Sequence, residues 1–406
     1  MVENYNLNIF NMSKKKILFL ADSAADLFNL YDYIKSDYEI IWIVYYEDVV
    51  HDLKKRGISQ NNIFCLNPFG FLKGNFFLFI LIKKILKIFY KNIFKKNLIN
   101  KVKKIDENFR PNMWVTDTID ILSKIKTQSP RCAFNHSVTY KKFFTSESIL
   151  SYDYIFLPGE YHMERILNLH KQKINKKKLI VSGSLKVSSF VKKPTIDNSE
   201  KEKIMDKYKL SRNKKNILFA PTHDAFGFYR FLPKSFENQF KAIELISNFI
   251  CNKLDCNFII KLHHYQASLL KNKTFRKLNH KNNNMVFDLA KFHDVIESEN
   301  IIRLSDIIIT DTSGIGPIGI FLGKKIIFLE PDSPFSWNEA DMESNLRPGF
   351  ICNNFVDLYK ALEQNLNSKD QFVMQREEFV RKIFFDHKKN ACNEISKNIK
   401  KIIYKN

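Results

Sequence analysis

The stretch Ile301–Asp332, IIRLSDIIITDTSGIGPIGIFLGKKIIFLEPD, constrains the fold more than any other part of the chain. It holds two apolar runs, Asp306–Thr310 and Lys325–Glu330, separated by a small-residue turn (Asp311–Gly316) and a short helical segment. A continuous apolar run that ends in small polar residues is the pattern of a parallel strand, buried on both faces, turning into a helix. Two such strands bridged by a helix make a βαβ unit, so the pattern predicts an α/β fold. The turn sets short hydroxyls and backbone N–H groups at a helix N-terminus, where an anion is stabilised. The same residues also read as an ordinary strand-to-helix connection capped by Ser or Thr. Pro317 is expected at the first helical position, where its missing N–H costs nothing.

The pattern recurs along the chain. Lys15–Leu20, Glu39–Tyr45, Met113–Thr116, Arg131–Phe134, Tyr154–Leu157 and Leu179–Ser182 read as strands of one half. Asn216–Ala220, Phe258–Leu262, Met285–Asp288, Asp306–Thr310 and Lys325–Glu330 read as strands of a second. A chain of 406 residues is too long for one ordinary core, and its 45% of hydrophobic residues can fill two. The expected architecture is two Rossmann-like parallel-sheet domains facing a cleft, GT-B-like, with a C-terminal helix packing back. The expected organisation is an acceptor-side domain (1–193) with a basic amphipathic insertion (69–104), a polar linker (194–215), a nucleotide-donor domain (216–375) and a C-terminal helix (376–406). Ligands of such sheets sit outside the carboxyl ends of the strands.

The opening βαβ segment (Lys15–Tyr45) carries no GxGxxG, so no dinucleotide fingerprint is expected there, and the chain lacks GxxxxGK[ST], GxSxG and HExxH, so neither a P-loop, a hydrolase elbow nor a metal site is expected. Six cysteines without a CxxC pair read as reduced core thiols. The formal charge of +22, from 65 Lys and Arg against 43 Asp and Glu, points to an anionic partner. Phe69–Lys104 concentrates that surplus: no acidic residue falls between Asp52 and Asp106, and Lys83, Lys84, Lys87 and Lys91 alternate with Ile85, Leu86, Ile88 and Phe89. A helix of this kind suits an anionic bilayer surface. The other reading is a solvated Lys-rich helix packed on its own domain. No apolar run is long enough to span a bilayer and the N-terminus lacks a signal-peptide core, so a cytoplasmic enzyme, peripheral on the inner face of the membrane, is expected. No recognisable RNA-platform motif occurs, and no nucleic-acid partner is expected.

Histidines stand just after several expected strands: His136, His223, and the pair His263 and His264. Imidazole can take a proton from a hydroxyl at neutral pH, and as imidazolium it can stabilise a phosphate. Around these positions the chain resembles the CDP-glycerol glycerophosphotransferase family of teichoic-acid and capsule-polymer enzymes. The motifs that carry the resemblance are AFNHSVTYKKF with His136, LFAPTHD with Thr222 and His223, KLHHY with His263, the Ile301–Asp332 stretch, and FFDHKKNACNEISKNI with Asp386.

The resemblance implies transfer of glycerol phosphate, or a similar polyol phosphate, from a CDP-activated donor to a lipid-linked acceptor, with release of CMP and no cofactor. It makes His136 the general base and has His263 stabilise charge on the diphosphate. Thr222, His223, Asp311, Thr312, Ser313 and Gly314 become the donor-binding set. The chain departs from the family pattern at Ser137, His264, His387 and the Thr312-Ser313-Gly314 triplet, which leaves CDP-ribitol or a nucleotide sugar open as donor. The rival readings are a GT-B glycosyltransferase for capsule or lipopolysaccharide, a sugar-nucleotide epimerase, and a non-enzymatic basic surface-binding protein.

Overall fold

The computed structural model describes residues 14–21, 24–45, 47–66, 89–118, 121–134, 146–221, 238–261, 285–287, 295–311, 313–330, 347–386 and 389–405. In chain order the elements are β1 (Lys15–Ala21), α1 (Ala24–Ile34), β2 (Tyr38–Val44), α2 (Glu47–Lys55), β3 (Ile63–Cys65), α3 (Phe89–Phe109), β4 (Met113–Thr116), β5 (Arg131–Phe134) and β6 (Tyr154–Leu157). There follow α4 (Glu160–His170), β7 (Leu179–Val181), α5 (Leu185–Lys192), α6 (Asn198–Lys207), β8 (Lys215–Ala220), α7 (Asn238–Lys253), β9 (Cys256–Ile260) and β10 (Met285–Phe287). The chain continues through α8 (Val295–Leu304), β11 (Ile307–Thr310), α9 (Ile315–Phe321), β12 (Lys325–Leu329), β13 (Phe350–Cys352), α10 (Phe355–Asn367), α11 (Val373–Ile383) and α12 (Ala391–Lys405).

These strands form two sheets, ordered β3-β2-β1-β4-β5-β6-β7 and β10-β9-β8-β11-β12-β13. The strand pairs resolved in register are parallel. This is the expected pair of parallel-sheet α/β domains. Two strands escaped the sequence reading: β3 and β13, three residues each, both at sheet edges. Contacts group the chain into two compact units, Met1–Ala133 with Ser396–Asn406, and Phe134–Ile395.

In the N-terminal unit the core lies on β1, β2 and β4, where Phe19, Trp42 and Trp114 are fully buried. Phe19 and Trp42 meet edge to face, and the Trp114 indole N–H donates to Asp106 Oδ1 (2.7 Å). That bond anchors α3 beside β4. From residue 96 onward α3 buries Leu98 and Val102, one turn apart, and exposes Lys96, Lys101, Lys103 and Lys104. This half of the Lys-rich segment therefore packs on its own domain. Residues 67–88, with Lys83, Lys84 and Lys87, lie outside the described residues, as does the side chain of Lys91. Among the described residues no helix is long and apolar enough to cross a membrane.

In the second unit the apolar runs behave as their composition requires. Ile307, Ile308, Ile309 and Thr310 are all buried, flanked by β8 on one side and β12 on the other. One face of this sheet packs against α5, α6, α8, α9 and α11. The opposite face packs against α7 and α10. The stretch 194–215 carries α6, whose Ile204 and Met205 join that first core together with Tyr208 and Leu210. Arg303 on α8 fastens the end of α5: its guanidinium donates to the carbonyls of Lys193 (2.7 Å) and Ser189 (3.3 Å), pairs with Glu299, and lies over the Phe190 ring. The C-terminal end of α11 docks onto the β6–α4 corner so closely that a Cβ at Gly159 would sit 2.3 Å from the Ile383 carbonyl oxygen.

Candidate functional site

Both sheets wind the same way. The chain moves outward from β8 to β9 and β10, returns through α8, and inserts β11 on the other side of β8 before moving outward again. The carboxyl ends of β8 and β11 therefore flank a point where the connections part to opposite sides. Open α/β sheets bind ligands at such points. Ala220 and Pro221 stand at one side of it, and Thr310 and Asp311 at the other. The Thr310 hydroxyl donates to the Ala220 carbonyl across 2.8 Å and ties the two strand ends together.

After Thr310 the chain makes a tight turn held by its own side chains. Asp311, fully buried, accepts the Ser313 N–H on Oδ1 at 2.9 Å. Ser313 Oγ accepts the Ile315 N–H at 3.4 Å, and the Ser313 carbonyl accepts the Gly316 N–H at 3.1 Å. The first N–H groups of α9 thus have partners within the turn, and the Ile315 contact is at the long end of a hydrogen bond. Gly314 caps the helix in a helical conformation without a side-chain bond. The helix begins at Ile315, so Pro317 is its third residue rather than its first. The position serves equally well, because the first four N–H groups of a helix lack intrahelical acceptors. Gly316 and Gly319 face the sheet, and a Cβ at Gly319 would lie 2.7 Å from Ile308 Cδ1.

Of the residues expected to form the site, the structure brings Asp311, Ser313 and Gly314 together in this turn. His136, Thr222, His223, His263 and Thr312 lie outside the described residues. The strands that lead to them are present: β5 runs up to Phe134, β8 to Ala220 and β9 to Ile260. Asp386 adopts a left-handed φ of 39°, and its carboxylate pairs with Lys389 at 2.5 Å. Two features of the strand ends were missed by the sequence reading. Glu330, just past β12, pairs with the largely buried guanidinium of Arg347. In the first sheet, Thr116, Asp117 and Thr118 close β4 beside the end of β1.

Comparison with known proteins decides the family. A family model described as CDP-Glycerol:Poly(glycerophosphate) glycerophosphotransferase matches residues 122–401. The chain belongs to this family. The match runs from just before β5 into α12 and includes both the Asp311 turn and the strand ends that precede His136, Thr222 and His263. A teichoic acid poly(glycerol phosphate) polymerase of Bacillus spizizenii is 28% identical over 196 residues, 48% of this glycerophosphotransferase-family chain and 45% of the relative. The chain thus matches a little under half the length of that curated relative.

Among solved structures, a wall teichoic acid polymerase TagF soaked with CDPG superposes with a TM-score of 0.59 at 16% identity, covering 96% of this chain and 89% of that one. A UDP-GlcNAc 2-epimerase from Neisseria meningitidis bound to UDP-GlcNAc gives 0.66 at 15% identity, covering 95% and 100%. A complex of S. aureus MnaA with UDP gives 0.64 at 18% identity, covering 96% and 97%. At these identities the structures establish the GT-B-type fold that the family member shares with polymerases and epimerases alike.

Proposed function

We propose that this glycerophosphotransferase-family chain moves glycerol phosphate, or a closely similar polyol phosphate, from a CDP-activated donor to a lipid-linked acceptor, in the synthesis of a cell-surface polymer. The observation that carries the reading is the family match across residues 122–401, which includes a buried Asp-and-hydroxyl turn at the switch point of the second sheet. In this reading residues 216–375 hold the donor and residues 1–193 the acceptor, and no cofactor takes part.

An acceptor hydroxyl attacks the phosphorus that bears the polyol. The new P–O bond forms as the bond to CMP breaks, and the hydroxyl proton passes to the His136 imidazole. CMP leaves with the electron pair of the broken bond. His263 offsets charge on the diphosphate, with Thr222 and His223 beside it. Asp311 fixes the turn, while the hydroxyls of Thr312 and Ser313 and the N–H groups after Gly314 hold phosphate oxygens. The long Ile315 N–H contact to Ser313 Oγ is one that a phosphate oxygen can displace. Such catalysis works through positioning and electrostatics. Lys83, Lys84, Lys87 and Lys91 would hold the enzyme against an anionic membrane surface, where a lipid-linked acceptor resides.

The test is to incubate the protein with CDP-glycerol and a lipid-linked acceptor and follow CMP. Release of CMP that depends on acceptor and is lost in His136→Ala supports the reading. UDP release from a UDP-sugar, with no CMP from any CDP-polyol, replaces it with a glycosyltransferase. Liposome co-sedimentation tests the membrane component. Binding that is unchanged after Lys83, Lys84, Lys87 and Lys91 are replaced by Gln would remove it.

A further inference from the structure

The strand ends that lead to the candidate site are carboxyl ends. The amino ends of the first sheet carry a separate cavity of about 430 Å³, with polar lining from Lys14, Tyr31, Lys35, Tyr38, Glu39 and Asn62. Lys14 precedes β1, Tyr38 and Glu39 open β2, Asn62 precedes β3, and Tyr31 and Lys35 stand at the end of α1. The strands from β2 through β1 and β4 to β5 run parallel, so the cavity lies on the sheet edge opposite the one that leads to His136. Small-molecule sites span ~300 to ~1,000 Å³, and this one falls in that range.

The lining is open. Lys14, Lys35, Glu39 and Asn62 are all exposed. Among the described residues, the side chains of Lys14, Glu39 and Asn62 make no hydrogen bond or ion pair. Lys35 pairs with Asp32 at 2.7 Å, an exposed pair of the weak kind, and its ammonium keeps two further donors. The Tyr38 phenol, pushed up to about 12 by burial first and then by Tyr404 and Asp37, stays a neutral donor.

Tyr404 brings α12 to this cavity. Lys397, Lys400, Lys401 and Tyr404 follow one another at i, i+3, i+4 and i+7, so they share one exposed face, while Ile399, Ile402 and Ile403 are buried. Among the described residues no carboxylate pairs with Lys400 or Lys401.

We propose that the cavity, continued by the lysine face of α12, is an exosite for a chain of polyols joined by phosphodiesters, the polymer that the enzyme has already extended. A glycerol repeat of such a chain offers one anionic phosphate and one free hydroxyl. The Lys14 and Lys35 ammoniums suit the phosphate, and the Glu39 carboxylate and Asn62 carboxamide suit the hydroxyl. The α12 lysines carry the cationic path on to further repeats. A bilayer surface is the poorer match, because membrane binding grows with buried apolar area. Tyr404 is the only large exposed apolar side chain among the described residues of this unit. The identity of the polymer rests on the transferase reading; the recognition of phosphate and hydroxyl does not.

The test uses the whole chain and soluble glycerol phosphate oligomers of increasing length. They are titrated by calorimetry beside CDP-glycerol and an inorganic polyphosphate of matched charge. Wild-type affinity is expected to rise with oligomer length and to exceed that for polyphosphate. Lys14→Gln combined with Lys35→Gln should weaken oligomer binding about tenfold, the sum of two exposed ion pairs, and leave CDP-glycerol unchanged. Lys400→Gln combined with Lys401→Gln should weaken only the longer oligomers. Glu39→Gln should weaken the oligomers a few-fold and leave polyphosphate as tight or tighter. All these side chains are exposed, and such substitutions rarely disturb folding.

No oligomer binding by the wild type overturns the proposal, as do unchanged oligomer affinity in the Lys14 and Lys35 variant and equal loss of oligomer and donor. Polyphosphate bound as tightly as the oligomers, with Glu39→Gln altering neither, replaces it with an unselective cationic surface. Lysine variants that keep oligomer affinity but no longer sediment with phosphatidylglycerol vesicles replace it with a lipid surface. A wild-type protein that releases no CMP from CDP-glycerol defeats the transferase reading, while the oligomer titration still decides the exosite.

Discussion

Thr310 donates its hydroxyl to the main-chain carbonyl of Ala220 across 2.8 Å, at the point where the connections of the second sheet part to opposite sides. The bond fixes the spacing of two strand ends from which the candidate donor turn departs. Thr310→Val keeps the shape and removes the donor. It is expected to cost about 1–2 kcal/mol, because a buried carbonyl loses a partner, and to weaken CDP-glycerol binding through the loosened turn. Thr310→Ser should restore most of both. Urea unfolding beside a donor titration measures the two effects.

Asp370 and Arg376 form a largely buried two-pronged pair at the start of α11. Burial alone would push the Asp370 carboxyl up. The Arg376 guanidinium and the Phe372 N–H outweigh it and hold the group below its ordinary value. A carboxyl lowered on folding contributes stability above its unfolded pKa and loses it as pH falls through the folded one. The wild type is therefore expected to lose stability below about pH 4. Asp370→Asn should be about 3 kcal/mol less stable at pH 7, since it leaves a buried guanidinium poorly paired, with a flatter acid limb. Thermal unfolding between pH 3 and pH 8 resolves both features.

Two glycines with similar crowding are expected to differ in the cost of an added methyl. A Cβ at Gly159 meets the Ile383 carbonyl oxygen at 2.3 Å, a backbone atom that cannot step aside. A Cβ at Gly319 meets the Cδ1 atoms of Ile308 and Ile326 at 2.7 and 2.8 Å, the ends of side chains that can rotate. Gly159→Ala should cost about 2–3 kcal/mol. Gly319→Ala should cost distinctly less, because the replaced glycine is mid-helix and alanine is the better helix former. Denaturant midpoints of the two variants give the order directly.

None of the six cysteines is in a disulfide. Burial pushes Cys256 and Cys352 up to about 12, with small further contributions from Cys251 and Asp255 for the first and Asp357 for the second. At pH 8 almost no thiolate exists at either position, and the thiolate is the reactive form. Iodoacetamide at pH 8 should leave both unmodified in the native protein and label half-buried Cys65 first, with all six reacting in denaturant. Mass mapping of the alkylated peptides reads this out.

The strands at the middle of each sheet were legible in the sequence because burial on both faces demands unbroken apolar runs, as in Ile307–Thr310 and Ile17–Leu20. The edge strands β3 and β13 were not. Three residues are too few for a period to show, and neither was taken up as an apolar run in the way that β7 and β10, equally short edge strands, were. The grip of Arg303 on Lys193 was out of reach for another reason: its partners are 110 residues apart, and local patterning says nothing about them. The Asp311 turn was visible from its small residues, although its own side chains hold the N–H groups that the sequence offered to a ligand.

The grouping of Ser396–Asn406 with Met1–Ala133 has a consequence for biosynthesis. Ile399, Ile402 and Ile403 of α12 are buried, so the N-terminal unit, made first, lacks part of its apolar complement until α12 has left the ribosome. The second unit runs to Ile395 and takes the buried Ala391, Cys392 and Ile395 from the start of the same helix. Domains that emerge first usually fold first; here one helix is shared, so loss of α12 takes buried apolar residues from both units at once.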